Sequence, residues 1–134
     1  MTGHQPHPGT GKTMMGEVVA KISIEQVLKG IGLTVVETVD PLGHAKAVET
    51  MKRVAAEPGV KAIIFKSPCI AIVPPHEKHA VDVAKCVKCK RCIKELGCPA
   101  IALDHGAICI DQALCTGCTL CAQICPTHAI GVVK

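Results

Sequence analysis

The sequence predicts two units of different class. Residues 1–73 read as an α/β remnant built around one βαβ unit, and residues 80–134 as a small α+β unit of β-α-β-β-α-β order, with residues 74–79 as linker. Three observations lead there. Helical and β-branched apolar patterns alternate before Pro74-Pro75; nine of the ten cysteines follow that point; and the region after it repeats internally.

In the first unit, Met1 to Gly16 reads as an irregular loop, broken by Pro6, Pro8, Gly9 and Gly11. Ser23 to Gly32 reads as a short helix. Ile24, Val27, Leu28 and Ile31 share one face of it, and Ser23 with Gln26 has the spacing of a capping box. Thr34 to Val39 is β-branched and reads as a strand ended by Asp40-Pro41. Gly43 to Ala56 reads as a helix with Val48, Met51 and Ala55 inward, stopped by Pro58-Gly59. Val60 to Phe65 is a short apolar run, hence a buried strand. Strand, helix, strand at this spacing implies a right-handed crossover between parallel strands. Two strands leave a parallel sheet uncovered, so residues 1–73 read as the end of a larger α/β domain.

The second unit contains the repeat. Its first half runs from Cys86-x-x-Cys89-x-x-Cys92 to Gly97-Cys98-Pro99-Ala100-Ile101, and its second from Cys115-x-x-Cys118-x-x-Cys121 to Cys125-Pro126-Thr127-His128-Ala129-Ile130. Short apolar runs flank each half (Ala80 to Ala84, Ala100 to Leu103, Ala107 to Ile110, Ile130 to Val133), and His105-Gly106 marks a hairpin turn.

Composition excludes several classes. Fifteen Lys and Arg against eleven Asp and Glu give a net charge of +4, and Phe65 is the one aromatic residue. That is too weak a basic bias, with too little to stack on bases, for a nucleic-acid-binding protein. The polar N-terminus has no apolar signal region, and no run approaches the roughly 20 apolar residues of a membrane span. A cytoplasmic, reducing setting is expected. There, cysteine-rich chains hold metal rather than disulfides.

The spacing points to iron–sulfur chemistry. A cubane needs four convergent thiolates. The C-x-x-C-x-x-C loop wraps three around one side, and the Cys before Pro ligates the other cluster in two-cluster proteins. The expected ligands are therefore Cys86, Cys89, Cys92 and Cys125 for one [4Fe–4S] cluster, and Cys98, Cys115, Cys118 and Cys121 for the second. The second half matches the C-x2-C-x2-C-x3-C-P run, whereas the first has five residues between Cys92 and Cys98. A zinc site would take ligands in pairs rather than triplets, and a disulfide framework does not require this spacing. Cys109 reads as an inert core thiol and Cys69 as structural. The region is too short for a self-sufficient apolar core, so iron ligation is expected to supply much of its folding free energy. Lys85, Lys88, Lys90, Arg91 and Lys94 crowd the first triplet against Glu95. They read either as a solvated loop or as a docking face for an acidic carrier.

Gly9-Thr10-Gly11-Lys12-Thr13 superficially suggests a phosphate loop. The pattern needs Gly where this chain has Pro6, and a strand before it, so nucleotide binding is not expected. Met1-Thr2-Gly3-His4-Gln5-Pro6-His7-Pro8-Gly9-Thr10-Gly11 instead resembles a loop in the thiamine-diphosphate domain of the indolepyruvate:ferredoxin oxidoreductase α subunit family. The order of parts that follows is also similar: a βαβ remainder, a Pro68-Cys69 element, then a ferredoxin-like two-cluster domain with a lengthened spacer before Gly97 to Ile101.

The resemblance implies that residues 1–73 are the C-terminal part of a thiamine-diphosphate-binding domain. His4 and Gln5 would border the cofactor, and His4 and His7 are candidates for contact with substrate or diphosphate. It implies an intact enzyme with thiamine diphosphate and Mg²⁺ that converts aryl 2-oxoacids and coenzyme A to acyl-CoA. A second subunit would complete it, and ferredoxin would accept the electrons. The upstream segment holding Mg²⁺ is absent from this sequence, so the chain alone is not expected to turn over a 2-oxoacid. Two other readings stay open: a free-standing electron carrier, and a cluster subunit of another 2-oxoacid oxidoreductase.

Overall fold

The computed structural model describes residues 7–69, 72–73 and 77–133. His4, Gln5 and the Pro74-Pro75 boundary lie outside the described residues. The chain divides into two compact units, residues 1–41 with 45–72, and residues 42–44 with 73–134.

The first unit opens with a loop that folds back on itself rather than wandering. Its backbone is tied by Ile22 N–H to Pro8 O at 3.0 Å, Val19 N–H to Gly11 O at 3.1 Å and Thr13 N–H to Glu17 O at 2.9 Å. Gly11 sits buried at φ +70, where a Cβ would meet the Lys21 side chain at 2.6 Å and Val19 O at 3.2 Å. The expectation of an irregular loop missed these backbone ties, which carry no side-chain signature.

Helix α1 spans Ile24–Gly30, with the Ser23 hydroxyl accepting from the Gln26 amide at 3.3 Å. No residue of α1 is buried; Ile24, Val27 and Ile31 are 58%, 51% and 70% exposed. Strand β1, Val35–Val39, pairs in parallel with β2, Lys61–Phe65, from Val35 opposite Lys61 to Val39 opposite Phe65. Between them runs α2, His44–Ala56, and the Lys61 ammonium donates to the Ala55 and Glu57 carbonyls at its C-terminal end.

The buried face of α2 is Ala47, Thr50 and Val54, not Val48, Met51 and Ala55. The correction is a rotation of about one residue, roughly 100° around the axis. The helix approaches β1 and β2 closely enough that small or β-branched residues fit. Met51, the longest apolar side chain on the helix, stays 49% exposed. Arg53 Nη1 reaches Glu37 Oε1 at 3.0 Å and so holds α2 to β1.

The second unit runs β3 (His79–Val81), α3 (Arg91–Lys94), β4 (Ile101–Asp104), β5 (Ala107–Ile110), α4 (Leu120–Ile124) and β6 (Ile130–Val132). Strands β3 and β6 pair antiparallel, as do β4 and β5. The β4–β5 turn is made by His105 and Gly106 at φ 44 and 78, both left-handed, as a two-residue hairpin requires. Its core is Cys92, Ile101, Ile108, Cys121 and Ile130, with Cys86, Cys98 and Cys125 packed against them. Sulfur thus occupies the centre that larger apolar side chains fill in other domains of this size. Among the described residues, no helix is long and apolar enough to cross a membrane.

Candidate metal centres

Each cysteine triplet is entered through the same turn. Asp82 accepts the Ala84 amide hydrogen at 3.0 Å, and Asp111 accepts that of Ala113 at 2.7 Å. The Asp82 carbonyl accepts from Cys86 N–H and the Asp111 carbonyl from Cys115 N–H, both at 3.0 Å. The turns are anchored to the strands in matching fashion, Asp82 N–H to Ala129 O at 2.7 Å and Asp111 N–H to Ala100 O at 2.8 Å. These aspartates were missed in the sequence. Their signal was there: an Asp four residues before the first Cys of both halves, and an Asx turn to exploit it.

Within each triplet the backbone turns through left-handed residues at equivalent places. Lys88 and Lys90 have φ 55 and 61, and Gly117 and Thr119 have φ 71 and 66. Such turns point successive amides and sulfurs into one concavity, which is how a short loop surrounds an anionic group. Lys90 and Thr119 then start the helices: their carbonyls accept from Ile93 and Lys94, and from Ala122 and Gln123, at 3.0–3.1 Å.

Both helices deliver a Cys-Pro at their ends. Helix α4 ends directly at Cys125. In the first half the two extra residues continue the coil, with Gly97 N–H on Ile93 O at 3.3 Å, and Gly97 at φ 57 breaks it before Cys98.

The structure gathers the sulfurs in two sets of four. Cys86, Cys89, Cys92 and Cys125 line one hollow of about 340 Å³, walled by Val81, Ile108, Ala129 and Ile130. Burial pushes the Cys92 thiol above its usual range, and the neighbouring Cys89, Cys125 and Cys86 add to the rise against the opposing Ile93 amide. In the second set, burial pushes the Cys121 thiol up to about 11, with Cys118, Cys115 and Cys98 also raising it. Cys125 is the exception. Burial would raise it, but hydrogen bonds, led by the Ala129 amide and then the Thr127 hydroxyl, pull it below its ordinary value. Their distances to Sγ are 3.3 Å and 3.7 Å.

Among the described residues, no three His, Cys, Asp or Glu side chains converge on the point a single ion would occupy. Four sulfurs around a hollow fit a larger group, and thiolate-only donor sets of this kind are those of iron–sulfur clusters.

Cys109 is exposed, with Sγ on Ala102 O at 3.5 Å, and not a core thiol. On β5 the side chains alternate, so buried Ile108 turns its neighbour outward. Cys69 is also exposed. The His7 ring Nδ1 accepts from the Gly9 amide at 3.1 Å, so that nitrogen is engaged within its own loop.

A family described as "4Fe-4S binding domain" matches residues 108–131. The subunit IorA of indolepyruvate oxidoreductase from Methanothermobacter thermautotrophicus is 41% identical over 132 residues, covering 97% of this chain and 21% of that relative. The proteins of the same name from Archaeoglobus fulgidus and Pyrococcus abyssi are each 36% identical, covering 100% of this chain and 22% of theirs. The chain therefore spans about a fifth of the length of the curated relatives it matches. No solved structure matches.

Proposed function

This chain is a relative of the IorA subunit of indolepyruvate oxidoreductase, and we propose that it is the electron-transfer part of an indolepyruvate:ferredoxin oxidoreductase. The observation that carries this reading is the grouping of Cys125 with the first triplet and of Cys98 with the second. Crossing of that kind is the signature of two adjacent [4Fe–4S] clusters. One would be held by Cys86, Cys89, Cys92 and Cys125, and the other by Cys98, Cys115, Cys118 and Cys121. When bound, such clusters accept and release single electrons.

The chain's own residues set the conditions for that exchange. The two Asp turns fix where each triplet begins. The left-handed residues aim its sulfurs inward, and Val81, Ile108, Ala129 and Ile130 keep water from the first hollow. The Ala129 amide stabilises negative charge on Cys125. In the intact enzyme, residues 1–73 would end a thiamine-diphosphate domain bordered by His4 and Gln5. A second subunit, Mg²⁺, coenzyme A and an aryl 2-oxoacid would complete the reaction, and two electrons would leave one at a time to ferredoxin. The chain by itself supplies the relay and not the decarboxylation.

The test is anaerobic iron and acid-labile sulfide analysis, with electron paramagnetic resonance of the reduced chain. About eight irons and the broadened signal of two interacting clusters are expected. About four irons, or zinc in their place, would end the reading.

A further inference from the structure

We propose that electrons leave this chain at Cys89, between Lys88 and Lys90, into a small acidic one-electron carrier docked on the basic face of the first triplet. The inference rests on the two-cluster reading and adds to it a direction and an exit.

The two triplets are near copies in backbone, so what differs between them stands out. Lys88 is exposed where its counterpart Gly117 is buried, and Lys90 stands where Thr119 does. Residues 85–94 carry five cations, Lys85, Lys88, Lys90, Arg91 and Lys94, whereas residues 114–123 carry no charge at all. Two of those cations are locally matched, Arg91 by Glu95 at 2.7 Å and Lys85 by Asp82 at 3.4 Å. Among the described residues no carboxylate pairs with Lys88, Lys90 or Lys94, and all three are exposed. Unmatched surface cations raise the rate at which an anionic partner arrives.

A second observation is independent of charge. Of the eight grouped cysteines, Cys89 alone is exposed; the other seven are half-buried or buried. Electron exchange weakens steeply with distance, so the exposed sulfur marks the shortest way out.

A third gives the direction. Positive charge and hydrogen bonds to sulfur both favour the more reduced state of a cluster. The first set has the cations and also the Ala129 N–H on Cys125 Sγ. It is therefore the higher-potential, terminal position, fed from the second set. In each encounter one electron passes from the first centre, oxidised by one unit, to the carrier, reduced by one. No bond forms and no proton moves.

The test uses the full chain, loaded anaerobically and reduced, and follows its oxidation at low ionic strength by two coloured probes: acidic plant plastocyanin and basic cytochrome c. Replacing Lys88→Glu and Lys90→Glu should slow plastocyanin at least about tenfold and accelerate cytochrome c, with both effects fading in salt. Lys46→Glu with Lys52→Glu makes the same charge change on α2 and should alter either rate less than about twofold. In a redox titration read by paramagnetic resonance, the Lys88 and Lys90 double variant should lower the higher of the two potentials and leave the other. Lys88→Arg with Lys90→Arg should restore both behaviours. Equal slowing by the two pairs of Glu substitutions, an unchanged plastocyanin rate, or unmoved potentials overturns the proposal while leaving two clusters in place. A wild-type chain holding only one cluster removes the earlier reading and this one together.

Discussion

Asp82 and Asp111 perform one task at two places: each carboxylate accepts the amide hydrogen of the residue two positions on, and each carbonyl accepts that of the first cysteine in a triplet. Neither side chain is placed to touch iron. Both decide where the sulfurs begin. A metal loop of this length has little else to hold it, because its own interior is the metal.

Asp111→Ala should therefore loosen the second loop without removing a ligand. Loss of one local hydrogen bond of this kind corresponds to roughly three- to tenfold faster iron release to a chelator. Asp111→Asn, which keeps an acceptor, should stay close to wild type. Iron-release kinetics with bathophenanthroline would check this, and equal rates for the two variants would count against the turn.

Crossed ligation makes a specific demand. Cys125→Ala should perturb the cluster of the first triplet, and Cys98→Ala that of the second. Each should lower iron content from about eight toward about four. Paramagnetic resonance of the two variants should show different surviving signals; the same surviving signal in both would mean that the sets are not crossed.

Acid should remove the clusters in order. Iron competes with protons for thiolate, and the competition is lost sooner where the thiol holds its proton more tightly. Cys121 is raised to about 11 by burial, whereas Cys125 lies below its ordinary value because of its hydrogen bonds. Both shifts act in one direction as pH falls: the Cys121 set reprotonates and empties first. Iron content against pH should fall in two steps, the first belonging to the second triplet's signal.

Stripping all the iron should unfold the second unit. Its buried core includes Cys92 and Cys121, so the interior is closed only when metal joins the sulfurs. Loss of most of its circular dichroism on anaerobic chelation is expected. A retained native spectrum would show that Ile101, Ile108 and Ile130 suffice.

Alkylation should sort the ten thiols. In the loaded chain, iodoacetamide followed by mass spectrometry should label the exposed Cys69 and Cys109 and spare the other eight, including Cys89, whose sulfur is taken by iron despite its exposure. Cys109→Ser should leave iron content unchanged.

Much of this was legible in the residues. The strand at Thr34 to Val39 and the helix at Gly43 to Ala56 appear within one residue of the expected ends, because Pro41 and Pro58-Gly59 leave the chain few alternatives. The grouping of sulfurs follows from the Cys-Pro pairs. The inward face of α2 was not legible. Apolarity pointed to Met51, but the space beside β1 and β2 admits Ala47, Thr50 and Val54, and that space is a tertiary property. Cys109 escaped for a related reason: in a two-stranded hairpin one face is solvent, and a lone thiol does not announce which face it is on. The Asp turns were visible in the repeat but overshadowed by the cysteines beside them.

The uncovered face of α1 has a practical consequence. Ile24, Val27 and Ile31 are joined in exposure by Met14, Met15 and Val18, at 85%, 91% and 84% for the last three. So much oil on a surface carrying only a modest net charge lowers colloidal stability. Purified alone, the chain should scatter light increasingly as it is concentrated, and mild detergent should reverse this, whatever the state of its iron.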